Sequence, residues 1–363
     1  MSIETPAAQA GPFAHERISI SRTMGLVMLA LLPATAFGLW QFGWPAIYLF
    51  AATIASALLF EVMSLGIAGK PIRPFVFDGS ALLTGWLLAM TLPPWAPWWI
   101  GVVGSFMAIV IAKQVFGGIG QNLFNPAMVA RVAILIAFPL EMTSFVEPAP
   151  LFSADAPGLV EGLAITFGGQ GFDAYSGATV LGHVRTELGQ GLSLSGILPG
   201  FFAPLSGAIG TVAGSMGETS AVLILLGGLF LIFKRIITWH IPLAMLGTIA
   251  VLATVMNLYD PEHYTSALYH LVSGATLLGA FFIATDLVTS PVSTRGQLLF
   301  GAGCGLLVYA IRTWAGYPEG VAFAVLLMNA CTPLIDYYIK PRVYGRDRKG
   351  APIEYADDAE VES

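Results

Sequence analysis

A chain of 363 residues is long enough for two soluble domains, but 56% apolar and 10% charged residues exclude an ordinary soluble surface. Mean hydropathy is +0.76, and repeated apolar runs near 20 residues predict an all-α polytopic membrane protein embedded in a lipid bilayer. The formal net charge of −6 lies mostly in loops and tails and gives no basic footprint for a nucleic acid.

The first 22 residues are polar, and no small-residue cleavage site follows the first apolar run, so the first membrane helix is expected to be retained. Ten spans follow in two sets of five. The first set is expected at 24–42, 45–66, 79–93, 97–113 and 124–140, the second at 219–233, 237–256, 265–285, 297–312 and 318–338. The domains are then a segment 1–23, a first repeat 24–140, a long loop 141–218, a second repeat 219–338 and a charged tail 339–363. Within the loop, 194–216 is apolar but rich in Gly, Ser and Pro, and reads as an interfacial or re-entrant piece. Cys304 and Cys331 stand singly in late apolar runs and read as packing residues; the chain alone is expected to hold no iron–sulfur cluster or haem.

Lysine and arginine counts set the orientation. With both termini inside, all of the 16 basic residues except Arg131, Arg185 and Arg312 fall on the cytoplasmic side. The 141–218 loop then faces outward. The two halves also resemble each other, because SALLTGWLLAM (80–90) aligns with ATLLGAFFIAT (275–285). The third span runs outward and the eighth inward, so the repeat is inverted, an arrangement that encloses sites near its pseudo-twofold axis.

Four stretches are candidates for chemistry. In DAYSGATVLGH (Asp173–His183), the small-residue turn Ser176, Gly177, Ala178 presents the Thr179 hydroxyl. The tetrapeptide SGAT recurs at Ser273–Thr276, but there His270 replaces the preceding Asp and the copy lies within a span, so Thr276 reads as a packing hydroxyl. In KQVFGGIGQNLFNPAM (Lys113–Met128), no strand precedes the glycines, so a dinucleotide-type phosphate loop is excluded. Asn125 is expected to cap the fifth helix with Pro126 in its first turn. ATDLVTSP (Ala284–Pro291) is the matching break after the eighth span, with Asp286 as polar counterpart of Asn122 and Asn125. Arg131, roughly 10 Å along the fifth span, is an intramembrane charge and a functional candidate. Glu61 is expected to snorkel toward the cytoplasmic end of the second span. His183 reads as a solvated loop histidine, and PPWAPWW (Pro93–Trp99) as an interfacial aromatic belt.

These stretches, in order with GAGCGLLVYAIR and GYPEGVAFAVLLMNACTPLID, resemble the D subunit of the Rnf ion-translocating ferredoxin:NAD oxidoreductase complexes and the B subunit of sodium-pumping quinone reductases. The longer N-terminal extension typical of the quinone-reductase subunit is not seen, which favours the Rnf type. The resemblance implies FMN attached through a phosphoester to Thr179 by a separate flavin transferase, with Asp173, Ser176, Gly177 and Ala178 completing its motif. It further implies a non-covalent riboflavin near Asn122 and Asn125, with Asp286 and Arg131 as further candidate contacts. The expected setting is the bacterial inner membrane, as part of a translocase that couples ferredoxin–NAD electron transfer to sodium or proton movement. Expected partners are the other Rnf subunits, including a periplasmic flavoprotein and the cluster-bearing membrane pair. The alternatives are a quinone-reductase B subunit and a non-redox inverted-repeat channel or permease.

Overall fold

The computed structural model describes residues 19–169, 179–197, 210, 213–315, 317 and 319–341. Asp173, Ser176, Gly177 and Ala178, and most of the 194–216 piece, lie outside the described residues. Among the described residues the regular elements are all helices. Three of them, Ile20–Ile67, His240–Tyr259 and Val321–Tyr338, are long and apolar enough to cross a membrane by length and composition.

The first two expected spans form one element, α1 (Ile20–Ile67), bent at Gly43 with φ 73° and ψ −160°. Only glycine adopts that conformation cheaply, and Pro45 follows it, so the bend is written into the sequence. The bend frees backbone carbonyls, and two of them find donors: Leu151 N–H donates to Trp40 O at 2.7 Å and the Trp95 indole donates to Phe42 O at 2.9 Å. Trp95 is therefore buried, a correction to its expected place in an interfacial belt.

After α2 (Ile72–Val76), α3 covers Ser80–Thr91, and its start is set by the Asp78 carboxylate accepting from Ser80 N–H at 2.7 Å. Helix α4 (Trp98–Phe106) continues into a π-helical segment, π1 (Met107–Gln114), and α5 runs from Pro126 to Ala137. Short helices α6 (Pro139–Thr143), α7 (Leu159–Gly168), α8 (Val180–Gly189) and α9 (Leu194–Ile197) follow in the middle of the chain. The second half contains α10 (Ala221–Phe233), α11 (His240–Tyr259), α12 (Ala267–Val272), α13 (Thr276–Leu278) leading into π2 (Gly279–Ile283), α14 (Thr294–Trp314) and α15 (Val321–Tyr338).

The expected eighth span is thus not one helix. It breaks at Ser273–Ala275 and ends π-helical, whereas the aligned segment in the first half is the α-helix α3.

One large apolar core joins the two halves through α1, α3, α5, π2 and α15. Small residues set the spacing where helices cross, as expected when lipid supplies no hydrophobic drive and close packing must. A Cβ on Gly227 of α10 would overlap the Ala30 carbonyl oxygen of α1. Gly227→Ala should therefore cost about 1–3 kcal/mol by overpacking, read as a lower melting temperature of the detergent-extracted protein; an unchanged melt would show that the helix pair can slide.

Outer faces remain apolar: Leu29, Leu59, Val251 and Leu258 are 55–77% exposed. Such a surface needs lipid or other membrane subunits against it. The chain is a multi-pass membrane protein.

Candidate functional site

The helix breaks singled out in the sequence come together. Asn125 caps α5, its side-chain oxygen accepting from Ala127 N–H at 3.1 Å and Met128 N–H at 3.3 Å, with Pro126 in the first turn. Its own N–H donates to the Asn329 side-chain oxygen of α15 at 3.1 Å, and the Asn329 amide donates to Thr289 O at 3.1 Å. Thr332 donates to the same carbonyl at 3.0 Å. The break in the first half is thus tied to the break in the second across α15. Within the second break, Asp286 accepts from Val288 N–H at 3.3 Å and from the Thr289 hydroxyl at 3.2 Å.

Asn122, Asn125 and Asp286 all line one cavity. Its walls are mainly apolar, from Leu83 and Leu87 of α3, Leu231 of α10 and Phe281 and Phe282 of π2. Thr23, Thr84 and Thr285 add hydroxyls, and Ser80 and Lys113 complete one side. The cavity volume is about 90 Å³. An apolar slot with a few convergent polar groups is the usual form of a small-molecule site. Amides and hydroxyls sit at the two breaks with aromatic and aliphatic side chains between them, a set of groups whose chemistry suits a flat heteroaromatic ring with a hydroxylated chain.

Glu61 is expected from the sequence to snorkel, which the structure corrects, and Lys113, counted there with the cytoplasmic charges, is buried as well. They are 1% and 2% exposed and pair with each other at 2.9 Å. Lys113 also donates to the Ser80 hydroxyl at 2.8 Å. Sequence reading missed this triad, although one charge of each sign in neighbouring apolar runs was a usable signal.

Arg131 is buried, but among the described residues it is not part of this cavity lining. It donates to the Met142 sulfur at 3.6 Å and lies within electrostatic reach of Glu218 and Glu319. It therefore belongs to a second group near α14. In the segment before α10, burial and the neighbouring Glu319 push the Glu218 carboxyl up to about 8, against the Ser215 hydrogen bond and the charges of Arg131 and Arg312.

Thr179 is the N-cap of α8, its hydroxyl oxygen accepting from Gly182 N–H at 3.1 Å. It is 6% exposed rather than openly presented, and His183 lies in the helix, not in a loop. One face of α8 packs on the second half through Leu181, Val184 and Tyr269. Arg185 donates to Arg312 O at 3.2 Å and Tyr317 O at 3.3 Å. Between α8 and the ends of α12 and α14 lies a cavity of about 380 Å³, walled in part by Arg185, Tyr264, Tyr269, His270, Arg312 and Trp314.

The second SGAT copy is a helix break whose threonine hydroxyl is spent on structure. Thr276 donates to His270 O at 2.8 Å and to Ser273 O at 3.1 Å. Arg312 donates to the same two carbonyls at 2.9 and 3.2 Å. The Ser273 hydroxyl is buried without a hydrogen-bond partner among the described residues.

Comparison with known proteins gives a consistent picture. A family model described as the NQR2, RnfD, RnfE family matches residues 7–345. The chain is 59% identical over 338 residues to a Stutzerimonas stutzeri protein named as the D subunit of the ion-translocating oxidoreductase complex, covering 93% of this chain and 95% of that one. It is 55% identical over 345 residues to the protein of that name from Halorhodospira halophila, covering 95% and 97%. Against the Escherichia coli (strain SE11) protein of that name, identity is 44% over 351 residues, covering 93% and 98%. The chain therefore belongs to the NQR2, RnfD and RnfE family.

Proposed function

We propose that this chain is the D-type membrane subunit of an Rnf-type complex, passing electrons through FMN on Thr179 and through a non-covalent riboflavin between the helix breaks. The observation that carries the reading is the convergence of Asn122, Asn125 and Asp286 on one cavity. They come from two stretches far apart in sequence; the resemblance selects the two asparagines, and Asp286 is the polar group of the matching break. The names of the relatives supply the setting, an ion-translocating oxidoreductase complex. Sodium or proton movement driven by ferredoxin–NAD electron transfer, and association with the other Rnf subunits, follow from that resemblance.

A bound flavin supplies the one-electron chemistry that protein side chains lack. The chain's own groups do the rest. Amide and carboxylate groups at the two breaks hold a hydroxylated chain, while Leu83, Leu87, Phe281 and Phe282 exclude water from a ring. Thr179 would hold a phosphoester at the N-terminal end of the ten-residue α8, where the helix dipole favours an anion. Because Thr179 is buried in the docked helix, the transferase acts before α8 settles onto α12 and α14. The reading carries with it two inverted five-helix repeats with ten spans, both termini in the cytoplasm and Thr179 on the outer side of the inner membrane.

The riboflavin site is tested by Asn122→Leu, alone and with Asn125→Leu. The Asn122 amide donates only to the nearby Phe124 O among the described residues, so its loss leaves the α5 cap intact. The single variant should lose most of its extractable riboflavin and retain covalent FMN. The double variant should lose all of it, with an added cap penalty of about 1 kcal/mol. Riboflavin content equal to wild type in both would reduce these residues to helix caps.

A further inference from the structure

The buried Lys113–Glu61–Ser80 triad has features that helix packing does not require. Lys113 sits in an eight-residue π-helical segment, π1, and π-helical turns inside helices recur at functional sites. An ammonium carries three N–H donors. Two are used, by Glu61 at 2.9 Å and Ser80 at 2.8 Å. Lys113 is also one of the residues lining the cavity that Asn122, Asn125 and Asp286 line, so its side chain borders the space an occupant would fill. Glu61 accepts through one oxygen, whereas its second oxygen is buried with no hydrogen-bond partner among the described residues. A carboxylate left half-satisfied offsets its lysine incompletely at the cost of its own desolvation. A fully neutralised structural pair would satisfy both oxygens.

We infer that Lys113 supplies the positive charge that favours electron uptake by the ring in this cavity, and that Glu61 and Ser80 are positioning residues that hold its ammonium in place. The inference rests on the flavin reading of the cavity. The step balances simply. One electron arrives from a reduced one-electron carrier, no bond forms or breaks in the protein, and Lys113 keeps its proton while its charge opposes the negative charge gained by the ring. A fixed charge in a water-poor site acts strongly because little solvent screens it.

The experiment is a spectroelectrochemical titration of the full-length subunit purified in detergent, in a Thr179→Val background so that the non-covalent flavin is observed alone. Lys113→Met removes the charge at similar size and should make the flavin harder to reduce, by about tenfold or more in the reduced-to-oxidised ratio, about 59 mV per tenfold for a one-electron couple. Glu61→Gln removes the opposing carboxylate and should shift the potential the opposite way. A merely structural pair would give shifts of one sign or none, so opposite signs are the diagnostic. If Lys113→Met does not fold, Glu61→Gln alone decides by its direction. Retained flavin with an unshifted potential, or with both variants shifted alike, overturns the role of Lys113 and leaves the cavity's flavin reading standing. Absence of non-covalent flavin from the Thr179→Val parent overturns both.

Discussion

Thr179→Val is expected to abolish covalent flavin, so that the band of this subunit on a denaturing gel shows no ultraviolet fluorescence, while the wild-type band fluoresces. A phosphoester needs a hydroxyl, and Val keeps the shape of Thr without one. The structure adds a cost that the sequence did not suggest. Thr179 caps α8 by accepting from Gly182 N–H, so the Val variant loses about 1 kcal/mol of local stability. Thr179→Ser separates the two effects, since it restores both cap and hydroxyl and should recover part of the fluorescence. In the assembled complex the Val variant should still insert and fail to support ferredoxin–NAD electron transfer. Thr276→Val is the control. Its hydroxyl is fully buried and spent on His270 O and Ser273 O, so the variant should keep its fluorescence and melt somewhat lower. A fluorescent Thr179→Val band alongside a dark Thr276→Val band would move the flavin to the second copy. A wild-type band without fluorescence would favour the permease alternative.

The largest loss of stability is expected from Arg312→Met. This guanidinium is buried and holds together three things: the carbonyls of His270 and Ser273 at the α12–α13 break, and Glu319 at 3.5 Å. Glu319 in turn accepts from Ala275 N–H at 3.1 Å. Removing the guanidinium loses two hydrogen bonds from a charged donor, about 1.5–3 kcal/mol each, and leaves the half-buried Glu319 without its cation. The break is also tightly packed. A Cβ on Gly274 would lie 2.8 Å from a Leu181 methyl and 2.6 Å from an Arg312 nitrogen, so loosening Arg312 disturbs the seat of α8. Arg312→Met should therefore lower the melting temperature in detergent by several degrees and speed trypsin cleavage at Arg185, which is anchored to Arg312 O. Glu319→Gln keeps an acceptor for Ala275 and Arg312 and should cost less. Equal melts for wild type and Arg312→Met would mean that Thr276 alone holds the break.

What could be read from the chain was local. Each expected apolar run carries helix because twenty consecutive residues in hydrocarbon must satisfy their backbone internally, and composition reports that directly. Asn125–Pro126 announced its cap for the same reason: the donor, the acceptor and the missing N–H lie within three residues. Glu61, Lys113, Trp95 and Arg131 resist such reading because a charge or an indole in an apolar run has several satisfactory fates. Which one applies depends on what another helix brings opposite it. Lys113 finds Glu61 52 positions away, Trp95 finds the carbonyl freed at the Gly43 bend, and Arg131 turns toward Glu218 and Glu319 rather than the Asn122–Asp286 cavity. The sequence by itself determined the membrane class, the helix breaks and the family. Only the tertiary structure decided that the two breaks share one cavity with a lysine in its wall, since that depends on packing between helices far apart in the chain.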